Sequence, residues 1–350
     1  DVDAANGTID IDVTIGNLIA TDVATGTNNQ IDLTTVTSGD VQLGIVTAGS
    51  GAVNVTSVGN ITDTDAAATN DVTGGTVSFS AASGIGATGA NDSVEVIAST
   101  VNATNSTSGG IFLNSLGGTA AGAGAVNFSS IHANTAGNIE LDAVTATTLT
   151  DVDAANGSID ADVAGAAMTA TDVQTGTNNL IDLTTTTSGD ITTALVNAGI
   201  GTVNVTSAGD IDGVTDDAVA DIAGGTVSLV AAVGGIGNDT TGLDVTAATA
   251  LNANTVTGDD SAITIDSIGN LPVGLIAAGT GTVNLDSTGD ITAVDDGTAD
   301  IVGGTLNLFT TTAADTIGTG LNFVEVTAST AVNADANDGD IFIESIGNLP

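Results

Sequence analysis

The chain has 350 residues, of which 42 are acidic and none is Lys or Arg, so its formal net charge is −42 at pH 7. Such a chain has nothing to neutralise phosphates, which excludes nucleic-acid binding, and its lack of Cys excludes disulfides and zinc–thiolate centres. With 41% apolar residues and a preference for β-branched residues and Gly, the composition predicts a folded β-protein.

The first predicted element is a half repeat, residues 1–44, which opens with DVDAANGTIDID. The same motif returns at 151–162. Its alternating Asp residues resemble a calcium-binding loop, but Gly stands at the seventh position instead of the sixth and the segment runs into a strand. We therefore predict a turn between two strands, with a calcium loop as the alternative.

Larger repeats follow the half unit. The string GGTVSF at 74–79 returns as GGTVSL at 224–229 and as GGTLNL at 303–308. Such matches divide the rest of the chain into units 45–118, 119–194, 195–272 and 273–350. We predict that all units belong to one continuous domain, residues 1–350.

A shorter period inside each unit defines the coil. Gly-Asp or Gly-Asn turns recur 20 residues apart, as at Asp190 and Asp210, and between them lie alternating runs such as AVNVTS. In that run Val53 and Val55 should face inward. The pattern predicts an all-β, right-handed parallel β-helix (β-solenoid) with about 20 residues per coil, roughly 17 to 18 coils, and four coils per unit.

The predicted interior consists of stacked Val, Ile, Leu and Ala. Six phenylalanines are predicted to plug it, at positions 79, 112, 128, 309, 323 and 342. A string of immunoglobulin-like sandwiches is the alternative fold, but the absence of Trp and Tyr leaves such modules without their core aromatics.

Three equivalent loops, at 61–75, 211–225 and 291–304, concentrate acidic residues where the coil lengthens. Hard cations prefer oxygen ligands from such loops, so the sequence predicts Ca²⁺ sites there, with a plain solvated bulge as the alternative. The candidate ligands are Asp63, Asp65, Asp71, Asp212, Asp216, Asp217, Asp221, Asp295, Asp296 and Asp300. No other cofactor is predicted.

Catalytic chemistry finds little support in the sequence. His132 is the only imidazole, and nothing near it has the spacing of a catalytic triad or a zinc site. We expect a surface residue there and no enzymatic activity. A carbohydrate-active β-helix is the distant alternative, because two carboxylates suffice for glycoside hydrolysis.

Repeats such as AGTGTVNLDSTGDITA (278–293) and AGGTVSLVAAVGGIGN (223–238) resemble the repeat region of filamentous-haemagglutinin-type exoproteins. That resemblance covers essentially the whole chain through its repeat texture. It implies a large secreted β-helical adhesin of Gram-negative bacteria, located outside the cell or at its surface.

The expected function is therefore an extracellular structural or adhesive rod, part of a long surface adhesin or fibre. A subunit of a homopolymeric filament assembled end to end is the alternative. The expected partners are further coils of the same polypeptide or of another copy, divalent cations, and cell-surface or matrix glycans. Neither nucleic acid nor insertion into a membrane is expected.

Overall fold

The computed structural model describes residues 1–26, 28–64, 69–89, 92–118, 124–176, 178–215, 219–237, 242–256, 260–293 and 296–350. Within these ranges the secondary structure is all β. The chain divides into two compact units, Asp1–Gly176 and Thr177–Pro350. Among the described residues there is no helix with the length and apolarity that crossing a bilayer requires.

The strands of the first unit are β1 (Val2–Ala4), β2 (Ile9–Ile15), β3 (Leu18–Thr25), β4 (Ile31–Ser38), β5 (Val41–Thr47), β6 (Ala52–Ser57), β7 (Ile61–Asp63), β8 (Val72–Thr73), β9 (Thr76–Ala81), β10 (Val94–Ile97), β11 (Thr100–Asn105), β12 (Ile111–Gly117), β13 (Val126–Ala133), β14 (Ile139–Ala143), β15 (Thr147–Leu149), β16 (Val152–Ala154), β17 (Ile159–Ala164), β18 (Met168–Ala170) and β19 (Val173–Thr175).

The strands of the second unit are β20 (Leu180–Thr186), β21 (Ile191–Thr193), β22 (Val196–Asn197), β23 (Thr202–Ser207), β24 (Ile211–Gly213), β25 (Ile222–Ala231), β26 (Leu243–Asn254), β27 (Ile263–Ser267), β28 (Leu271–Ala277), β29 (Thr282–Ser287), β30 (Ile291–Thr292), β31 (Ile301–Thr310), β32 (Val324–Asp335) and β33 (Ile343–Ser345).

The strands pair in parallel from one turn to the next, which is the architecture of a β-solenoid. In the second unit Val203 pairs with Val227, Val227 with Leu251, and Leu251 with Val273. The predicted parallel β-solenoid is therefore confirmed.

The predicted coil length is wrong. The structure has about 23 residues per turn and about 14 turns, not about 20 residues and 17 to 18 coils. The 20-residue interval holds on coils with short corners, where Val41 pairs with Ile61. Corners that carry a loop lengthen the turn, as where Val196 pairs with Ile222. The ladder from Val203 to Val273 consequently takes three turns, so the predicted four coils per unit are wrong as well.

The core follows the alternation that the sequence predicts. Val53 and Val55 are buried at 0% and 1% exposure, whereas Asn54 between them faces outward. The prediction of Phe plugs is only partly right. Phe79 and Phe128 are buried, but Phe309 is 37% exposed because it stands at an outward position of β31. Residues 112, 323 and 342 are partly exposed, so these phenylalanines do not plug the interior either.

The Gly-Asp and Gly-Asn turns are held by side chains that reach the next coil. The Asp210 N–H donates to Asp190 Oδ1 at 3.0 Å, and the Gly235 N–H donates to Asp210 Oδ1 at 2.7 Å. A Cβ on Gly209 would lie 2.0 Å from Asp190 Oδ1, so glycine is required where this carboxylate approaches. Such bonds hold one turn against the next without any basic side chain.

Candidate metal centre

Six of the ten acidic residues predicted as cation ligands lie in the described part of the chain. Predictions for the other four fall outside the described residues, and these are Asp65, Asp216, Asp217 and Asp295. The six described residues do not form one kind of site. Only those at the end of each loop are buried.

Asp71, Asp221 and Asp300 each lie directly before a strand that carries the chain into the next coil. Their exposed fractions are 1%, 2% and 7%. The apolar residue that follows each Asp is 0% exposed, so each Asp adjoins the core. A charged side chain in such a place requires compensation.

A second carboxyl meets each of these residues from the following coil. Glu95, Asp244 and Glu325 are 0%, 3% and 1% exposed. Each donates its backbone N–H to Oδ2 of the loop Asp, at 2.9 Å for Glu95, 3.3 Å for Asp244 and 2.8 Å for Glu325. Carboxyl groups from successive coils therefore stack in pairs at three equivalent places.

Sequence reasoning missed this second set of acids. Each lies between two apolar residues, in VEV at 94–96, LDV at 243–245 and VEV at 324–326. Strand alternation assigns such a middle residue to the outer face, yet all three acids are buried. The sequence does contain a signal for these residues, since each acid follows the loop Asp by about one turn of the solenoid.

The first of the three places brings a third carboxyl into the group. Asp63 at the end of β7, Asp71 and Glu95 place carboxylate oxygens within 4.8 Å of one another, and we name them the Asp63 cluster. Ser93 donates its hydroxyl to Glu95 Oε1 at 3.2 Å. Glu95 Oε2 is buried and has no hydrogen-bond partner among the described residues. These are oxygen ligands only, which is the donor set of a hard cation.

Burial and mutual repulsion raise the pKa values in the Asp63 cluster. Burial raises the pKa of Asp71 to about 9, and the charges of Asp63 and Glu95 add to the rise although the Glu95 N–H opposes it. Burial also raises the pKa of Glu95. Without a cation, Asp71 therefore retains a proton at neutral pH.

The other two places differ from the Asp63 cluster in composition. Gly213 and Ala293 stand where Asp63 stands in the first, after the same apolar strand start. At the third place Glu325 Oε2 accepts two loop N–H bonds, from Asp296 and Gly297, both at 3.0 Å. The Glu325 carboxylate is thus satisfied by the protein itself.

Asp212 and Asp296 lie outside the three buried carboxyl pairs. Asp212 is half-buried, and burial raises its pKa together with the charges of Asp210 and Asp190. Asp296 is exposed and accepts hydrogen bonds from the Thr298 hydroxyl and N–H, which lower its pKa. Among the described residues, the predicted calcium ligands that cluster closely are therefore Asp63 and Asp71 alone.

A second acidic group lies on the outer face of the first unit. Glu140 and Asp142 on β14 pair in register with Asp160 and Asp162 on β17. Burial raises the pKa of Asp142 to about 6, and the charges of Glu140 and Asp162 add to it. Burial and the charges of Asp160 and Asp162 also raise the pKa of Glu140. Parallel pairing places these like charges side by side.

His132 lies on β13, which pairs with β16 of the following turn so that His132 is next to Asp153. Together with Asp151, these two residues could hold a metal ion. The His132 Nε2 is 3.1 Å from Asp151 Oδ2 and 3.5 Å from Ser130 Oγ. A catalytic triad needs the acid and the nucleophile on different ring nitrogens. Here both lie on Nε2, so the arrangement is not that of a triad.

The DVDAANG motif forms a turn between two strands in both copies. The turn at residues 5–7 joins β1 to β2, and its second copy joins β16 to β17. This confirms the prediction of a turn.

Comparison with known protein families, with curated proteins and with solved structures finds no match to this chain. The resemblance to filamentous-haemagglutinin repeats therefore depends on the repeat sequences and on the β-solenoid fold.

Proposed function

We propose that the chain is a structural segment of an extracellular rod, forming part of the stalk or fibre of a large bacterial surface adhesin. The observation that carries this proposal is that the chain folds into stacked β-coils of similar length. In the described residues, polar side chains recur in register from coil to coil along the outer faces. Such regularity suits a spacer that must extend and resist unfolding.

Outward-facing side chains support a load-bearing role because they also bond from coil to coil. In the second unit Asn307 donates its amide to Asn284 Oδ1 at 2.7 Å, and Asn333 donates to Asn307 Oδ1 at 2.7 Å. These bonds add to the backbone ladder beneath them. A surface with 42 acidic residues and no basic residue also keeps neighbouring rods apart in solution.

The proposal is tested by finding where the native polypeptide resides and how long it is. An antibody raised against residues 1–350 should label the surface or the medium of the producing cells. On a denaturing gel it should detect a polypeptide much larger than the 33.4 kDa of this chain. Labelling confined to the cytoplasm would refute the extracellular role. A short polypeptide found outside the cell would instead favour the end-to-end filament.

A further inference from the structure

We propose that the Asp63 cluster binds one Ca²⁺ ion, which links two successive coils of the first unit. Asp63 and Asp71 contribute carboxylates from the two ends of one loop, and Glu95 contributes a carboxylate from the following coil. The remaining ligands would be water and the Ser93 hydroxyl. This inference does not depend on where the chain is located or on what it attaches to.

The spacing of the three carboxylates suits this ion. Ca²⁺ binds oxygen at about 2.3–2.6 Å, so two oxygens on opposite sides of it are about 4.6–5.2 Å apart. All three carboxylates of the Asp63 cluster lie within 4.8 Å of one another. An ion placed among them would contact each group without a rearrangement of the backbone.

The buried oxygen of Glu95 is an independent indication of a ligand. Glu95 is 0% exposed, yet its Oε2 accepts no hydrogen bond from any residue in the described ranges. Leaving such an atom without a partner costs free energy that a folded protein normally avoids. A bound cation satisfies Oε2 and also removes the repulsion from Asp63 and Asp71.

At the third carboxyl pair, the glutamate equivalent to Glu95 is stabilised by hydrogen bonds from the protein itself. Glu325 Oε2 accepts the N–H groups of Asp296 and Gly297. At that place Ala293 replaces the residue equivalent to Asp63. At the first place a third carboxylate and a glutamate oxygen without a partner therefore occur together. In the described part of the third place neither feature is found.

The experiment compares Glu95→Gln and Asp63→Asn with Glu344→Gln, a matched change at an exposed glutamate of the second unit. Binding of ⁴⁵Ca²⁺ to the 350-residue chain is measured by equilibrium dialysis in about 0.15 M NaCl, where diffuse attraction is screened beyond ~8 Å. We expect both cluster variants to weaken one site by about tenfold or more. Glu344→Gln should bind like the parent chain.

Thermal unfolding with and without a chelator provides the second readout. The parent chain should melt higher with Ca²⁺ than with the same ionic strength of NaCl. In chelator, Glu95→Gln should melt at or above the parent because one repelling charge is gone, and Ca²⁺ should no longer raise its melting temperature. Unchanged ion binding in Glu95→Gln, or equal stabilisation of the parent by NaCl, would overturn the proposal. A parent chain that binds no ion tightly would show that the Asp63 cluster holds protons instead.

Discussion

Replacing Val227 by Asp tests most directly which strand residues face the core and which face solvent. Val227 is 0% exposed and lies in the ladder between Val203 and Leu251. The substitution forfeits about 1.5–3 kcal/mol of apolar burial. Burying a carboxyl with no partner adds several kcal/mol more. The expected loss is therefore about 4–7 kcal/mol, a large share of the 5–15 kcal/mol that stabilises a typical domain.

Val233→Asp is the matched control because it adds the same charge at a side chain that is 61% exposed. Unfolding in urea is followed by circular dichroism, since the chain has no Trp or Tyr to report by fluorescence. Hydrogen exchange then shows which coils open, and we expect β23, β25 and β26 to lose protection together. If the two variants differ by less than about 1 kcal/mol, the assignment is wrong.

Further predictions concern charge, turns and the two kinds of Phe. The pKa of Asp142 is raised to about 6 in the folded state, so the protonated carboxyl contributes its full stability below pH ~4, and this contribution is lost as the pH rises through about 6. By pH 7 the Asp142→Asn variant should therefore have a free energy of unfolding about 1–2 kcal/mol above that of the parent, after discounting for solvent screening. A stability difference independent of pH in urea titrations would contradict this. Gly209→Ala should destabilise by about 1–3 kcal/mol because its Cβ would displace the Asp190 carboxylate, whereas Gly7→Ala, which has open space, should melt like the parent. Phe128→Ala should lower the free energy of unfolding by about 3–5 kcal/mol. Because Phe309 is 37% exposed, Phe309→Ala should lower it much less in the same urea assay. Equal losses would contradict the assignment of Phe128 to the core and Phe309 to the surface.

The repeat sequence was sufficient to predict the parallel solenoid and the inward-facing residues. Val53 and Val55 alternate with polar neighbours, and a single register satisfies the alternation. The coil length was not predictable from the Gly-Asx turns, because those turns occupy one corner and the other corners accept loops of different length. Phe309 is exposed because the alternation of β31 directs Leu308 inward, so that the next residue faces outward.

The candidate site was predicted only in part. Asp63 and Asp71 were accessible to sequence reasoning because both lie on one acidic loop. Glu95 was not, since its role follows from which residue of the next coil lies beneath that loop. With a coil of 20 residues the position below Asp71 would be Asn91, whereas the observed turn places Glu95 there.

We propose that this chain forms part of an extracellular rod made of stacked β-coils. X-ray diffraction from aligned native fibres tests it most directly, because each coil advances the stack by the inter-strand spacing of ~4.8 Å. We expect a strong reflection at that spacing along the fibre axis. Its absence from the axis, in material that contains this polypeptide, would contradict the claim.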